Sequence, residues 1–277
     1  MTTTQIDPQE LKALIDAGTV KVVDGSWALD GSDMKASYAK AHIPGAVFFD
    51  IEAVSDHSTL LPHMAPAPNA FAAAVGAMGI RESDAVVVYD QQGLFSAARV
   101  WWTFRLMGHQ NAWVLRGGLP AWTAAGLPVT DEAPAVTAAL YHAHIQADMI
   151  MDLKGLPEAL QAGAVVLDAR SAARFEGAAP EPRAGLRSGH MPGARSLPFG
   201  ELISGGALKP VEALKAIFAE KGVTAAAPVI TTCGSGVTAA IISLALAEAG
   251  HASKLYDGSW AEWGQETLDT PVATGAA

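Results

Sequence analysis

The feature that most constrains the fold of this chain is that its two halves resemble each other in the same order. The segment AHIPGAVFFDIE (41–52) resembles GHMPGARSLPFGEL (189–202), and VVYDQQGLFSAA (87–98) lines up with ITTCGSGVTAAI (230–241). Two further pairs, VVDGSW with VLDARS and LRGGLPAW with YDGSWAEW, keep the same order. The members of each pair are about 145 residues apart, whereas solenoid repeats recur every ~20 to 50 residues. The pattern therefore predicts two tandem domains of one fold.

The predicted boundary between the domains lies in a stretch without strong periodicity. The segment LPVTDEAPAVTAAL (127–140) contains two prolines, which is typical of a connecting segment. We place the N-terminal domain at residues 1–130, a linker at 131–145 and the C-terminal domain at 146–277. A chain of 277 residues is long enough to bury two hydrophobic cores.

Short apolar segments alternate with helical patterns in the second half. Strands are predicted at 164–169, 228–232 and 252–257, and helices at 210–222 and 237–250. Apolar strands that alternate with helices indicate a parallel sheet covered on both faces. The predicted fold class is α/β, with two tandem domains that each contain a parallel sheet with helices on both faces. Ligands of such sheets bind outside the carboxyl ends of the strands.

Composition and charge exclude several functional classes. A formal net charge of −10 disfavours nucleic acid as a partner, because phosphate binding requires a basic surface. No apolar run is long enough to cross a bilayer, and the opening residues MTTTQIDPQE lack the pattern of a secretory signal. A single cysteine excludes an internal disulfide framework. These features predict a cytoplasmic enzyme without a nucleic-acid or membrane partner.

The single cysteine, Cys233, falls at the carboxyl end of the predicted strand 228–232. The tripeptide Gly-Ser-Gly (234–236) follows and leads into the helix 237–250. Glycines allow successive N–H groups to turn toward one point, and a helix N-terminus adds unpaired N–H groups and partial positive charge. A thiol in this setting is expected to ionise readily, and the loop to hold an anion attached to the sulfur. The alternative is a buried structural cysteine, which would need neither the glycines nor the helix start.

Two other kinds of loop share part of this pattern. The spacing Gly234-x-Gly236-x-x-Ala239 matches the dinucleotide fingerprint, with Asp257 about 20 residues further on. This match comes late in its half, and the corresponding segment of the first half keeps one of the glycines. A cysteine phosphatase loop would need an arginine that clamps the phosphate, whereas this loop continues as Val-Thr-Ala. Nucleotide binding is therefore the weaker hypothesis.

Five motifs in order carry a family resemblance. They are HIPGA (42–46), RVWWTFRLMGH (99–109), GHMPGA (189–194), CGSGVTA (233–239) and YDGSWAEW (256–263). Over nearly its whole length the chain resembles the tandem-domain sulfurtransferases of the rhodanese superfamily. The resemblance implies that Cys233 of the C-terminal domain is the nucleophile, and that the N-terminal domain is catalytically silent, with Asp90 at the corresponding position. It implies that a sulfur atom passes from a small-molecule donor to the cysteine, as a persulfide, and then to a thioredoxin-like or other thiol, or to cyanide. No metal or organic cofactor is implied.

The resemblance also bears on the sulfur donor. Family members that prefer thiosulfate carry basic residues behind the cysteine, whereas Gly234 and Ser235 resemble the branch that uses 3-mercaptopyruvate. Arg174 and Arg183 match the substrate arginines of the family, and arginine binds carboxylates in bidentate geometry. The implied persulfide-binding residues are Gly234, Gly236, Val237 and Thr238. A thiosulfate:cyanide sulfurtransferase and a non-catalytic persulfide carrier stay open as alternatives.

The same branch pairs a serine of the cysteine loop with a histidine and an acid from the N-terminal domain. Ser235 matches the serine, His63 matches the histidine, and Glu52 stands where aspartate is expected. Such a relay would handle the proton that pyruvate gains when it leaves as an enolate. The alternative for His63 is a solvent-exposed loop residue.

Structural roles are predicted for several other residues. His42 and His190 precede Pro-Gly in both halves, which indicates that they fix a turn. Arg170, Arg187 and Arg195 are interpreted as surface or interdomain charges. Five tryptophans are predicted to pack in a core or between the domains: Trp101, Trp102, Trp122, Trp260 and Trp263.

Overall fold

The two halves of the chain form two sheets with the same strand order. The computed structural model describes residues 3–276. The strands of the first sheet are β1 (Gln5–Ile6), β2 (Val20–Asp24), β3 (Val47–Phe48), β4 (Ala85–Tyr89) and β5 (Ala112–Leu115), in the order β1-β5-β4-β2-β3. Those of the second are β6 (Ile150–Met151), β7 (Val165–Asp168), β8 (Arg195–Ser196), β11 (Val229–Thr232) and β12 (Lys254–Tyr256), in the order β6-β12-β11-β7-β8. All neighbouring strands in both sheets are parallel.

Helices connect the strands of each sheet. In the first half they are α1 (Pro8–Asp16), α2 (Met34–Lys40), α3 (Ile51–Val54), α4 (Pro68–Ala77), α5 (Ala97–Leu106) and α6 (Gly118–Ala124). In the second half they are α7 (Leu156–Gln161), α8 (Ala172–Phe175), α9 (Val211–Glu220), α10 (Ala239–Glu248) and α11 (Ser259–Trp263). A 3₁₀ helix (Phe199–Leu202) precedes a two-stranded sheet of β9 (Ile203–Ser204) and β10 (Ala207–Leu208). The strands and helices predicted for the second half correspond to β7, α9, β11, α10 and β12.

The described chain divides into two units. The first unit contains residues up to 56, together with 65–146 and 204–208, and the second contains 57–64, 147–203 and the residues from 209 onward. The segment 57–64 therefore belongs to the same unit as β11 and α10, although it comes from the first half of the sequence. The segment includes His63, so that histidine and Cys233 lie in one unit.

Both faces of each sheet are covered. In the second sheet, Val166 packs in a buried cluster with Ile230 and Trp260, while its neighbour Leu167, on the opposite face, is equally buried. Helix α10 contacts β11 and β12, and eight of its residues, from Ala239 to Leu246, are buried. In the first sheet, the last four residues of β4 are all buried. Each large apolar side chain buried in this way stabilises the fold by about 1.5–3 kcal/mol. The predicted α/β fold class, with two similar domains, is confirmed.

The segment predicted as the linker has no helix or strand between residues 131 and 146. It nevertheless packs on the first unit. The Ala139 amide donates to the carbonyl of Gly76 at 2.8 Å, and the Gln146 amide donates to the carbonyl of Leu106 at 2.7 Å. Tyr141 is buried. These bonds satisfy backbone groups that a packed irregular segment would otherwise leave unpaired.

The paired histidines and the tryptophans have the structural environments that were predicted. His42 Nδ1 lies 2.8 Å from the carbonyl oxygen of Tyr38, and His190 Nδ1 lies 2.9 Å from that of Phe175. Both rings are buried, so each ties a loop to backbone. The five tryptophans are all buried, each at most 4% exposed: Trp101, Trp102, Trp122, Trp260 and Trp263. Within residues 3–276, no helix combines the length and the apolar composition that crossing a bilayer requires.

Candidate active site

Cys233 lies where strand β11 ends. Residues 233–238 form a turn after Thr232, and α10 begins at Ala239. Gly236 adopts φ = 80°, a left-handed conformation that glycine enters at little cost. The cysteine is 2% exposed. The sequence prediction of a thiol in a glycine turn between a strand and a helix therefore matches the structure, and the cysteine is buried.

Several backbone amides of this loop have no hydrogen-bond acceptor anywhere in the described part of the chain: those of Gly234, Ser235, Val237 and Thr238. Thr238 makes no side-chain cap on α10, so the helix N-terminus is open as well. Buried amides without acceptors are costly, and amides at a helix start bind anions readily. The loop thus offers several hydrogen-bond donors beside the only thiol of the chain.

The corresponding loop of the first unit has a carboxylate side chain, that of Asp90, at the position of the cysteine. Asp90 follows β4 as Cys233 follows β11, and its carboxylate accepts the amides of Gln92 at 2.9 Å, Phe95 at 2.7 Å, and Ser96 and Ala97 at 2.9 Å each. Asp90 is fully buried. A carboxylate that accepts four amides shows that this loop geometry can surround one negative group. We call it the amide cradle, residues 90–97 in the first unit and 233–240 in the second.

Replacing Asp90 with asparagine is expected to destabilise the protein. The side-chain amide has one acceptor oxygen, and its NH₂ group would face amides that also donate, so buried donors would lose partners at about 1–3 kcal/mol each. We expect the free energy of unfolding, measured with urea, to fall by ~2 to 4 kcal/mol. Asp30 is the matched control, because its exposed carboxylate bonds to Ser32 alone in the described structure. An equal loss for Asp30→Asn would contradict this account of the cradle.

The loop serine and His63 are in direct contact. His63 Nδ1 lies 3.0 Å from Ser235 Oγ, and the two residues are 3% and 6% exposed. The prediction that pairs them therefore agrees with the geometry, and the alternative of a solvent-exposed histidine is wrong. His63 has φ = 59°, a left-handed backbone that costs about 1–3 kcal/mol for a residue other than glycine. Such strain is typical of functional sites.

Glu52, the third member of the predicted relay, lies in the first unit on α3. Its carboxylate accepts the indole N–H of Trp27 at 2.8 Å, and the residue is exposed. The preceding Asp50 caps α3 by accepting the amide of Glu52 at 3.1 Å. The participation of Glu52 in a relay stays a prediction.

Arg174 lies directly against the cysteine loop. A methyl group placed on Gly234 would come within 3.0 Å of Arg174 Nη2, so glycine at this position lets the guanidinium approach the backbone. The same guanidinium donates to the buried carboxylate of Glu181. The predicted substrate arginine therefore stands at the predicted nucleophile, with its charge partly balanced by an acid.

Arg183, the other predicted substrate arginine, has a different environment. It is half-buried, and among residues 3–276 it has neither an ion pair nor a hydrogen bond. It lines a cavity of about 270 Å³ together with Pro62 and Ala261. The Ala261 amide donates to the carbonyl of Gly234 at 2.8 Å, and Pro62 adjoins His63. Two of the residues that line the cavity are therefore next to residues of the candidate site, although no residue of the cysteine loop lines it. Arg183 is therefore a half-buried cation without a partner among the described residues.

The interpretation of Arg170 as a surface or interdomain charge is wrong. Its side chain is fully buried and binds the carboxylates of Asp168 and Glu181, and it stacks on Trp260 with 4.3 Å between the guanidinium carbon and the ring centroid. Burial by itself would lower the pKa of Arg170, but the two carboxylates outweigh it and raise the pKa. The acid Glu181, which joins Arg170 to Arg174, was missed by sequence reasoning. Its signal was its position in ARFEGAAPEPRAG, between the two arginines of that segment.

Arg187 and Arg195 also differ from one another. Arg187 is half-buried and donates to the carbonyls of Trp263 and Thr270 within the second unit, so its side chain is held by backbone although it is partly exposed. Arg195 is exposed and donates to the carbonyl of Lys221, as a surface residue should. Neither of them donates a hydrogen bond to the cysteine loop in the described structure.

Comparison with known proteins agrees with the fold and the loop. The model of the rhodanese-like domain matches residues 7–125 and 152–266. The 3-mercaptopyruvate sulfurtransferase of Escherichia coli K12 is 41% identical over 93% of this chain and 93% of its own length. Thiosulfate/3-mercaptopyruvate sulfurtransferase 1 of Arabidopsis thaliana, a mitochondrial protein, is 39% identical over 91% of this chain and 73% of its own. The crystal structure of SseA, a 3-mercaptopyruvate sulfotransferase from Escherichia coli, superposes with a TM-score of 0.86 at 39% identity, over 94% of this chain and 100% of that one.

This chain belongs to the rhodanese-like family. The prediction of a tandem-domain sulfurtransferase is thereby confirmed.

Proposed function

We propose that the chain takes a sulfur atom from 3-mercaptopyruvate onto Cys233, releases pyruvate, and passes the sulfur to a thiol or to cyanide. The observation that carries this proposal is the amide cradle of the second unit. The amides of Gly234, Ser235, Val237 and Thr238 have no acceptor in the described structure. Two of them, those of Ser235 and Thr238, correspond to the amides of Gln92 and Phe95, which donate to the carboxylate of Asp90 in the first unit. A persulfide anion on Cys233 would take the place that the carboxylate takes there.

The chemistry balances without a cofactor. The Cys233 thiolate attacks the sulfur of 3-mercaptopyruvate, so an S–S bond forms and the donor's C–S bond breaks. The electron pair of that bond stays on carbon as the enolate of pyruvate. The proton from the donor thiol, or its equivalent, then returns to that carbon. In the second half-reaction an acceptor thiolate attacks the outer sulfur, and the Cys233 thiolate is restored.

The amide cradle stabilises the charge that develops on sulfur. Backbone donors that are already oriented need no reorganisation when a negative group forms, which makes them effective electrostatic catalysts. The open start of α10 adds partial positive charge on the same side. We infer that Gly234, Gly236, Val237 and Thr238 bind the persulfide through their backbone, and that their side chains take no part.

The donor's carboxylate is assigned to Arg183, with Arg174 beside it. Arg183 lines the cavity that Pro62 and Ala261 also line, and it has no partner within the described residues. Arg174 already pairs with Glu181, so its net attraction for a second carboxylate is smaller. Because Arg174 lies close to Gly234, we assign it to the reacting end of the donor. Both assignments are proposals.

Proton handling is assigned to His63 and Ser235. Ser235, which is hydrogen-bonded to His63, follows Cys233 by two residues in the sequence. Histidine is the side chain that exchanges protons near neutral pH. The pair would supply the proton that converts the pyruvate enolate to pyruvate.

Replacing His63 with glutamine is expected to lower kcat for 3-mercaptopyruvate by about 100-fold, because general acid–base groups contribute effects of this size. Ser235→Ala should lower kcat by a similar factor. The variant with both substitutions should lose little more kcat than either single variant. His57→Gln is the matched control, since His57 is an exposed histidine of the same segment, 57–64. Single-turnover pyruvate release is the measurement. A kcat for His63→Gln equal to that of the control would refute the role.

The deciding experiment for the proposed function is pyruvate release from 3-mercaptopyruvate with and without a dithiol acceptor. Continuous release with the acceptor, and one equivalent per enzyme without it, is the expected result. A parallel assay with thiosulfate and cyanide tests the alternative donor. A carrier without catalysis would gain a sulfur atom only when a donor protein is present, which mass spectrometry detects. A thioredoxin-like acceptor and a cytoplasmic location stay predictions.

A further inference from the structure

We propose that Ser259 is a positioning residue that orients the peptide groups of the amide cradle around Cys233; this inference rests on the proposed function. Ser259 is fully buried and has φ = 51°. Its hydroxyl oxygen accepts the amide of Cys233 at 3.3 Å and donates to the carbonyl of Tyr256 at 2.9 Å. The nucleophile's own backbone is therefore tied to a residue 26 positions later in the chain.

The helix that begins at Ser259 holds the carbonyls of the loop. The amide of Trp260 donates to the carbonyl of Cys233 at 3.0 Å, and the amide of Ala261 donates to that of Gly234 at 2.8 Å. The described chain has no cis peptide bond, and in a planar trans peptide the C=O and the following N–H point in opposite directions. The amides of Gly234 and Ser235 therefore point away from α11. These are two of the donors without an acceptor, so α11 determines the direction in which they point.

The first unit provides an internal comparison. Gly118 stands at the position of Ser259 with φ = 56°, and the next amide, that of Leu119, donates to the carbonyl of Asp90 at 3.0 Å. The second contact is absent, because Pro120 replaces Ala261 and proline has no N–H. A side chain at Gly118 would come within 2.4 Å of the Asp90 carbonyl oxygen. In the described structure, the second unit has three hydrogen bonds between α11 and the cysteine loop, and the first unit has the equivalent of one of them.

The choice of serine at a left-handed position needs a reason. Glycine adopts this backbone without strain, as Gly118 does, whereas another residue incurs about 1–2 kcal/mol. The hydroxyl of Ser259 offsets that cost by pairing two buried backbone groups, one of which belongs to the nucleophile. Because Ser259 holds the amide of Cys233 and Trp260 holds its carbonyl, the two contacts together restrict its backbone torsions and so set the direction of the Cα–Cβ bond that carries the sulfur.

The helix that carries these anchors is itself held rigidly. Trp260 lies under the guanidinium of Arg170 at 4.3 Å, and its indole N–H donates to the carbonyl of Arg187 at 2.9 Å. Arg170 is bound in turn by Asp168 and Glu181. The buried ion pairs of the second unit thus position α11, and α11 positions the loop.

The test compares Ser259→Gly, which introduces the residue of the silent copy, with Ser259→Ala. Both remove the anchor on the Cys233 amide, and glycine also removes the backbone strain, so the glycine variant is expected to fold with an unchanged or higher Tm. We expect kcat for sulfur transfer to fall about tenfold in both, as the loss of one oriented hydrogen bond allows, with KM for 3-mercaptopyruvate within about twofold of wild type. The pH profile of Cys233 alkylation by iodoacetamide should shift upward.

The matched control is Ser243→Ala, which removes another buried hydroxyl of the second unit, one that bonds to Thr231 Oγ at 2.8 Å. Its kcat and alkylation profile should equal those of wild type. The proposal is overturned if the glycine variant of Ser259 keeps wild-type kcat and alkylation profile, if Ser243→Ala loses as much, or if KM alone changes. In each of these cases the proposed function would still be supported if the wild-type protein forms a persulfide on Cys233. A wild-type protein that forms no persulfide would instead refute the proposed function.

Discussion

Replacing Cys233 with serine is expected to abolish sulfur transfer, with a loss of at least about 10⁴-fold in kcat, as the removal of a nucleophile causes in other enzymes. A serine hydroxyl does not ionise near neutral pH and forms no persulfide. The substitution is nearly isosteric, and the serine hydroxyl can accept a hydrogen bond from the unpaired amides of the loop, so the fold should persist. Pyruvate release from 3-mercaptopyruvate and the intact mass of the protein after exposure to the donor are the two measurements.

A matched thermal melt separates chemistry from folding in this experiment. The serine variant should unfold within a few degrees of wild type and show no added sulfur, whereas the wild-type protein should gain one sulfur atom. Retention of pyruvate release, or a sulfur adduct on the serine variant, would contradict the assignment of Cys233 as nucleophile. It would also remove the reason for the amide cradle.

Replacing Arg183 with alanine is expected to lower kcat/KM for 3-mercaptopyruvate by about 10- to 100-fold, mainly through KM. Charge-assisted hydrogen bonds contribute about 1.5–3 kcal/mol each, and Arg183 has no partner within the described residues that would compete for the donor. Thiosulfate lacks a carboxylate, so the loss for that donor should be smaller. Steady-state kinetics with both donors measure the difference.

Two other arginines serve as comparisons for this prediction. Arg195→Ala should leave both parameters unchanged, because Arg195 is an exposed residue bonded to the carbonyl of Lys221. Arg174→Ala should raise KM for 3-mercaptopyruvate by less than Arg183→Ala does, because Glu181 already balances its charge. Equal losses with both donors would count against carboxylate binding by Arg183.

Local patterns were enough to predict the elements that lead to the nucleophile. The apolar segment 228–232, the glycines behind Cys233 and the apolar segment 237–250 correspond to β11, the loop and α10. Each of these depends on side-chain spacing and backbone freedom within a few residues. The repeated order of motifs likewise predicted two similar sheets, since both copies of a duplicated sequence meet the same packing requirements.

Contacts between distant residues required the fold. The burial of Arg170 depends on Glu181 and on the ring of Trp260, which no spacing in its own segment reveals. The segment 57–64 joins the second unit and turns His63 toward Ser235, through a left-handed backbone that sequence patterns do not predict for histidine.

The sequence by itself determined the α/β class and the duplication, because these follow from residue types and their local order. It also led to the predictions that Cys233 is the nucleophile and that the first copy is catalytically silent. Tertiary structure alone decided, among the described residues, which amides of the cysteine loop are left without acceptors, which of the two predicted substrate arginines has no partner, and which later residue binds the backbone amide of Cys233. Those outcomes are set by hydrogen bonds and ion pairs between segments far apart in the chain, and such pairings form only once the sheet brings the segments together.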